Sequence, residues 1–213
     1  MLAFKAVHKD MSSNFGEKPT YEIGKTYHFP TAARGLSGFH AAEDPIFCLG
    51  FIPPEQGRYF KVEIQGRTDP DGGAGANGQG AVAGTSITFL QELTVEQMLW
   101  YSMRYRLAWA KNPVHENTSG ERAMGVCSRK GQSITVHGNR CVAVAGKEGC
   151  NATAYGSNAL AVAEAPGATA SVSGSNALGV AYGRDAKAEG HNGAWILIID
   201  PAAAPEKQLR WQH

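Results

Sequence analysis

Residues 156–190 read GSNALAVAEAPGATASVS followed by GSNALGVAYGRDAKAEG, so the pentapeptide GSNAL returns after eighteen residues. Alanine stands at nearly every second position of this stretch. Five-residue segments that start nine residues apart run from Cys141 to Gly190, with glycine-containing turns between them. A fixed short period with turn residues between strands is typical of a β-solenoid. The repeat therefore predicts two short strands per coil of about 18 residues.

Small residues at alternate positions of these segments predict a very thin core. Successive side chains of a strand point to opposite faces, so the first, third and fifth positions share one face. Large side chains at these positions would force the two sheets apart. The positions hold Cys141, Ala143, Ala145, Cys150, Ala152, Ala154, Ala159, Ala161, Ala163, Ala168, Ala170, Val172, Ala177, Gly179 and Ala181.

The second and fourth positions predict two outer faces of opposite character, because they alternate between apolar and polar from one segment to the next. An apolar outer face needs a cover, which other copies of the chain, the N-terminal domain or a partner could supply. We favour a homotrimer, which makes the six apolar residues an expected oligomer interface. These residues are Val142, Val144, Leu160, Val162, Leu178 and Val180, and the polar set begins with Asn151, Thr153, Thr169 and Ser171.

Upstream of the repeats, short strand-like and helix-like segments predict an α+β domain. Strands are expected at 4–8, 21–29, 59–64 and 86–92 from their β-rich composition or alternation. Asp44 and Pro45 predict the N-cap and first residue of a short helix. Thr94 and Gln97 form a capping-box pattern that opens a second helix, which ends near Ala110. Its expected packing face comprises Val95, Met98, Leu99, Ser102, Tyr105 and either Trp109 or Arg106.

The predicted organisation has two domains and two flexible parts. The glycine-rich stretch 66–85 has little to bury and is expected to be a flexible loop. Its GAGANG segment is only a weak match to a dinucleotide-binding motif, because no helix follows it. AWILII, residues 194–199, is expected to cap the last coil. The predicted boundaries are 1–112 for the α+β domain, 113–130 for a connector, 131–199 for the β-solenoid and 200–213 for a tail.

Composition excludes several classes of function. With 20 basic and 19 acidic residues, the chain has neither the charge of a nucleic-acid-coating protein nor that of a basic membrane anchor. MLAFKAVHKDM lacks the apolar run of a signal peptide, and no segment approaches eighteen apolar residues. We therefore expect a soluble protein of a bacterial cytosol, with association with a virion as the alternative. Neither nucleic acid nor a membrane is an expected partner.

The four cysteines show no CxxC spacing, so no zinc site, no other metal and no cofactor is expected. Cys141 and Cys150 occupy equivalent inward positions on successive strands and are therefore expected to be able to face each other. The sequence allows either a disulfide or a pair of reduced thiols at these positions. The reducing environment of a cytosol favours the reduced thiols.

Motifs of this sequence resemble those of two groups of proteins. The glycine-ended alanine repeats of residues 131–190 resemble the β-roll head domains of trimeric autotransporter adhesins, although the repeat here is nearer nine residues than seven. FKAVHKD, YEIGKTY, SGFHAAEDPIFCL, FKVEIQG, SITFLQELTVEQML and the final Gly193-Ala-Trp195 strand are similar to an uncharacterised bacteriophage and prophage family. The first resemblance implies a trimer, and the second implies a phage context without a catalytic residue.

A third, looser resemblance supplies an enzymatic alternative. The stretch SGFHAAEDP, with the helix and strand that follow it, resembles part of the ADP-ribosyltransferase fold. That resemblance implies that His8 or His28 contacts NAD and that Glu92 is the catalytic acid. However, no His-Gly-Thr or Arg-Gly motif follows the first strand, and Glu92 stands just before a helix cap.

Our prediction from the sequence is a non-enzymatic, phage-encoded protein-binding module without a catalytic residue. The β-solenoid is expected to form a homotrimer, and the N-terminal domains are expected to present a surface to a host or phage protein, such as a component of bacterial defence. An ADP-ribosyltransferase-like enzyme built on residues 1–95 is the alternative.

Overall fold

Residues 1–13, 20–33, 37–66, 80–110, 112–191, 193–200 and 209–213 are described by a computed structural model of the chain. The chain divides into two units, Met1–Tyr101 and Ser102–His213. The second unit begins inside the second helix rather than after residue 112, where the sequence predicts the boundary. The GAGANG segment lies outside the described residues.

A six-stranded antiparallel sheet forms the first unit. Its core is aromatic: the rings of Tyr21 and Phe89 are stacked with centroids 4.4 Å apart, and Phe60 meets Phe89 edge to face. In sheet order the strands are β2 (Thr26–His28), β6 (Ser86–Leu93), β4 (Gly57–Gln65), β1 (Leu2–His8), β3 (Phe39–Ala42) and β5 (Ala81–Gly84).

The longer strands of this sheet lie where the sequence predicts them, but the positions of the shorter strands differ from the prediction. The strands expected at 4–8, 59–64 and 86–92 are β1, β4 and β6, whereas only Thr26–His28 of the stretch 21–29 is a strand. β5 lies inside the expected flexible loop 66–85, and β3 lies in the stretch SGFHAAEDP, for which no strand was predicted. Both are four-residue strands rich in alanine, so their pairing with each other, rather than local pattern, makes them strands.

The first helix begins one residue later than predicted, with Pro45 at its N-cap position, and the second begins at its predicted capping box. In α1 (Ile46–Phe51) the Asp44 Oδ1 atom accepts a hydrogen bond from the Ile46 N–H at 3.2 Å. α2 (Val95–Trp109) opens with a reciprocal capping box. The Thr94 N–H donates to Gln97 Oε1 at 2.9 Å, and the Gln97 N–H donates to Thr94 Oγ1 at 3.3 Å.

The second unit contains the predicted β-solenoid, with successive strands on two different sheets. The strands lie within about one residue of the predicted segments. Those that start between residues 133 and 169 pair in parallel with the strand eighteen residues later, as Val142 does with Leu160 and Leu160 with Leu178, whereas Leu178 pairs with Trp195, seventeen residues later. The strands are β7 (Thr118–Ser119), β8 (Met124–Val126), β9 (Ser133–His137), β10 (Val142–Ala145), β11 (Asn151–Tyr155), β12 (Leu160–Ala163), β13 (Thr169–Ser173), β14 (Leu178–Ala181), β15 (Lys187–His191), β16 (Trp195–Ile199) and β17 (Leu209–Gln212). One sheet has the order β17-β16-β14-β12-β10-β8 and the other β15-β13-β11-β9-β7.

The thin core between these sheets is built as the alanine pattern predicts. The inward cysteines and alanines of the repeats are buried in one hydrophobic cluster. Where an inward side chain is larger, a glycine lies next to it and leaves the space that the side chain occupies. A Cβ atom on Gly125 would come within 2.8 Å of Ile134 and Val136, and one on Gly179 within 3.3 Å of Val172.

The solenoid begins before the predicted limit of residue 131, and a strand from the expected tail is added to its last sheet. β7 and β8 lie in the expected connector 113–130 and form the first coil, which pairs with β9 and β10 of the second. The predicted terminal strand is β16, and β17 from the expected tail pairs with it in antiparallel orientation. These strands were missed because they fall outside the glycine-alanine repeat.

We predict that Gly156→Ala destabilises the second unit by more than about 2 kcal/mol. Gly156 has a φ of 140°, and its Cβ atom would overlap the carbonyl oxygen of Gly138 in the preceding coil. Gly167→Ala is the matched control, because Gly167 also has a positive φ but has open space around it. We expect the control to cost about 1 kcal/mol in urea unfolding. Equal costs for the two variants would contradict the prediction.

Candidate interaction surface

The six predicted interface residues are buried within a single chain, which favours a cover supplied by the chain itself over the expected oligomer interface. Val142, Leu160, Leu178 and Val180 are fully buried, and Val144, the most exposed of the six, is 7% exposed. The chain itself therefore covers this face. A homotrimer stays a prediction, but it would have to use other residues.

Arg106 shows how the second half of α2 binds to the solenoid. Its side chain is completely buried, and its Nη1 atom donates hydrogen bonds to the carbonyl oxygens of Ala159 at 3.0 Å and Asn176 at 2.8 Å. These two carbonyls lie in successive coils. At the end of the same helix, the Trp109 ring lies 5.2 Å from the Arg140 guanidinium and 5.9 Å from that of Arg122.

The outer surface of the other solenoid sheet is polar, as predicted, and forms three ladders of side chains. Parallel pairing aligns Ser133 with Asn151 and Thr169, and the Asn151 amide donates to Ser133 Oγ at 3.3 Å. Side chains in one ladder are about 4.8 Å apart. We call this surface of four strands the hydroxyl face, and it comprises Ser119, Ser133, Thr135, His137, Asn151, Thr153, Tyr155, Thr169, Ser171 and Ser173.

The hydroxyl face contains no Asp, Glu, Lys or Arg, and charge returns only in the next strand with Lys187 and Glu189. Surfaces of soluble proteins usually carry about a quarter or more of these charged residues. An aromatic pair stands at one edge of the face. The rings of His137 and Tyr155 are stacked with centroids 4.9 Å apart, and Tyr155 is 44% exposed. The sequence predicted the polarity of this face but not its lack of charge as a distinguishing feature.

The residues of the enzymatic alternative do not come together in the first unit. Glu92 accepts two hydrogen bonds of 2.7 Å from the Arg58 guanidinium, which hold the pKa of its carboxyl group below the usual value. His28 pairs with Ser86, six residues along β6 from Glu92 and thus roughly 20 Å away. His8 pairs with Gly57 on β4 and lies two strands from β6. The structure therefore forms no site from these three side chains.

The structure gives Cys150 a different neighbour from the one expected. The Cys127 thiol lies 3.7 Å from the carbonyl oxygen of Asn151, the residue after Cys150, whereas the Cys141 thiol donates to the carbonyls of Val136 and Tyr155. The physical reason is that the chain reverses direction at every corner of the coil. The first inward position of one strand therefore faces the last inward position of its neighbour, not the first. All four cysteines are free thiols.

Lys5, in the first unit, has a buried amino group whose pKa is shifted. Lys5 is 6% exposed and its Nζ atom donates to the His40 carbonyl at 2.9 Å. Burial lowers the pKa of Lys5 from 10.5 to about 8, although the neighbouring Cys48 opposes this shift. Burial also raises the pKa of Cys48 to about 12, so this neighbour is a neutral thiol at pH 7.

The Lys5 pKa predicts a pH dependence of stability. Between about pH 8 and 10.5 the unfolded chain binds more protons at Lys5 than the folded chain, so this residue makes the free energy of unfolding rise with pH. Relative to Lys5→Met, we expect the wild-type value to rise by about 1 kcal/mol from pH 7 to pH 9. Urea unfolding at both pH values measures the difference. Parallel pH profiles of the two proteins would contradict the prediction.

Among the described residues, His, Cys, Asp and Glu form no group of three or more that could hold a metal ion. No helix formed by these residues combines the length and hydrophobicity required of a membrane span.

Residues 1–100 match a family model described as a domain of unknown function (DUF7666). The match ends before the solenoid and carries no activity. No match was found among curated proteins or among solved structures. The relations to bacteriophage proteins and to adhesins therefore rest on motif resemblance alone.

Proposed function

We propose that the protein is a non-enzymatic binding module that presents the hydroxyl face of its solenoid to a partner protein. The sequence predicts that the N-terminal domains present the binding surface. The solenoid supports a different surface, because four of its adjacent strands expose a regular array of side chains that contains no Asp, Glu, Lys or Arg.

The composition of the hydroxyl face supports protein recognition. Tyr, Ser and Asn are the side chains that antibody paratopes favour, because tyrosine supplies contact area at low entropic cost and the small polar groups supply hydrogen bonds. Charged residues are depleted in the centres of protein interfaces. The parallel ladders also hold the side chains in place before binding, which reduces the entropy lost on association.

The same composition disfavours two other classes of ligand. Nucleic acids and anionic membranes are bound chiefly through Lys and Arg, which the hydroxyl face lacks. The resemblance to phage proteins suggests that the partner is a protein of the infected bacterium or of the phage, including components of bacterial defence.

Capture from a bacterial lysate by the immobilised protein tests this proposal when face variants are compared. Thr153→Glu places a charge at the centre of the hydroxyl face, where it would have to be desolvated on binding. Tyr155→Ala removes the exposed ring. We expect each variant to retain at most a tenth of the partner that the wild-type protein retains, with unchanged thermal unfolding.

Ser175→Glu is the control, because Ser175 is exposed on a solenoid turn outside the hydroxyl face. It introduces the same charge and should leave capture unchanged. Equal retention by wild-type protein and both face variants would refute the proposal.

A further inference from the structure

Two thiols meet at one corner of the solenoid, where its first and second coils join. Cys127 directly follows β8, the last strand of the first coil, and Cys150 stands between β10 of the second coil and β11. The Cys127 thiol lies 3.5 Å from the Gln132 carbonyl oxygen and 3.7 Å from that of Asn151, the residue after Cys150. The Cys150 thiol donates to the Arg129 carbonyl at 3.0 Å. Both side chains thus occupy the same buried corner.

The strands of the first coil align fewer residues with their neighbours than the strands of later coils do. β7 pairs with β9 through two residues and β8 pairs with β10 through three, whereas later pairs of solenoid strands align four or five residues. Cys127 also leads directly into Ser128, Arg129, Lys130 and Gly131, all of which are exposed. Terminal elements with few pairings open locally at low free-energy cost, so this corner is expected to open before the rest of the solenoid.

We propose that Cys127 and Cys150 form a redox-sensitive disulfide that fastens the first coil to the second. The oxidant is a small-molecule disulfide such as oxidised glutathione. When the first coil opens, the Cys127 thiolate attacks one glutathione sulfur and releases one glutathione thiolate. The Cys150 thiolate then attacks the Cys127 sulfur of the mixed disulfide and releases the second. The two cysteines lose two protons and two electrons, and the glutathione disulfide is reduced to two thiols.

Burial makes the reaction depend on this opening. In the closed solenoid, burial and the neighbouring Cys150 raise the pKa of Cys127 to about 12, so almost no thiolate is present at pH 7. The closed state therefore keeps the pair reduced for as long as the first coil stays folded. Once formed, the disulfide would prevent the first coil from separating, because it joins residues on both sides of the corner.

The other two cysteines do not offer such a pair. Cys141 lies at the opposite corner of the coil and donates to backbone carbonyls. Cys48 is buried in the first unit, where the charged group acting most strongly on its thiol is Lys5. The proposal therefore predicts one specific link.

The experiment is incubation of the whole chain with oxidised or reduced glutathione, followed by trypsin digestion without reduction and mass spectrometry. Arg129 separates Cys127 from later cysteines, and Arg140 and Lys147 bracket Cys141, so each possible link gives a different peptide pair. We expect one linked pair that contains Cys127 and Cys150. We also expect the midpoint of thermal unfolding of the second unit to rise by on the order of 10 °C.

Two variants provide controls. Alanine already occupies the positions equivalent to Cys150 and Cys141 in later coils, such as Ala168 and Ala159, so Cys150→Ala and Cys141→Ala should fold. Cys150→Ala should retain glutathione on Cys127 and lose the thermal shift, whereas Cys141→Ala should behave as the wild type does. The proposal fails if no link forms, if the link involves Cys141 or Cys48, or if the Cys127–Cys150 link leaves thermal unfolding unchanged.

Discussion

Replacing Leu160 with aspartate is expected to unfold the second unit, with a loss of more than about 4 kcal/mol from its free energy of unfolding. Leu160 is completely buried and stands between Val142 and Leu178 in the ladder of the covered sheet. The substitution removes a large apolar side chain and buries a carboxylate without a partner. A pKa shift would neutralise the carboxylate only at a further cost in free energy.

Leu160→Asp also distinguishes two ways of covering the apolar sheet, by the same chain or by other copies of it. If copies of the chain covered the apolar sheet, Leu160→Asp would convert an oligomer into a folded monomer. The buried position of Leu160 in the single chain predicts loss of cooperative unfolding instead. Circular dichroism during urea unfolding measures stability, and light scattering measures mass. A wild-type trimer and a folded monomeric variant would contradict the prediction.

Thr153→Asp is the matched control for Leu160→Asp. Thr153 lies on the adjacent strand of the coil, but its side chain points to the half-exposed hydroxyl face. The same carboxylate there remains hydrated, and we expect a cost within about 1 kcal/mol. Similar costs at the two positions would mean that the two faces do not differ as described.

The solenoid was predictable because its signal repeats. The period of nine residues gave each strand to within about one residue, and the alternation within a strand separated Ala161 from Leu160 and Val162. Where the repeat stops, prediction failed: β8 and β17 are strands because a neighbouring edge pairs with them, not because of their own composition. The same reason explains β3 and β5 in the first unit. Tertiary pairing, which one sequence does not show, decides such short segments.

The candidate surface was predictable only in part. Alternation identified Asn151 and Thr153 as outward and polar, and it identified Leu160 and Leu178 as members of an apolar face. It could not show what covers that face, because burial by a distant segment leaves no periodic mark on the repeat. It also could not show that Cys150 faces Cys127, since this contact follows from the reversal of the chain at a corner.

Arg106 is the clearest case of a residue whose importance the sequence left open. The helical pattern left either Trp109 or Arg106 to complete the packing face, and an arginine is rarely the buried choice. The structure buries Arg106 completely and leaves Trp109 half-buried beside two arginines. The guanidinium is tolerated there because backbone carbonyls of the solenoid accept its hydrogen bonds.

We therefore predict that Arg106→Ala costs about 3 kcal/mol or more in the free energy of unfolding of the second unit. The variant leaves a cavity and removes the donor that the Asn176 carbonyl faces, although the Ala159 carbonyl keeps the Leu178 N–H. Arg104→Ala, two residues earlier on an exposed position of the same helix, should change stability by less than about 0.5 kcal/mol.

Arg106→Lys distinguishes the role of the charge from that of the fork of donors. Lysine keeps the positive charge and most of the apolar stem, but its ammonium group ends nearer the helix than the guanidinium does. We expect it to bond one of the two carbonyls and to restore about half of the stability lost in Arg106→Ala. Full restoration would show that charge and volume suffice. An Arg106→Ala protein as stable as Arg104→Ala would show that α2 is not held to the solenoid by this side chain.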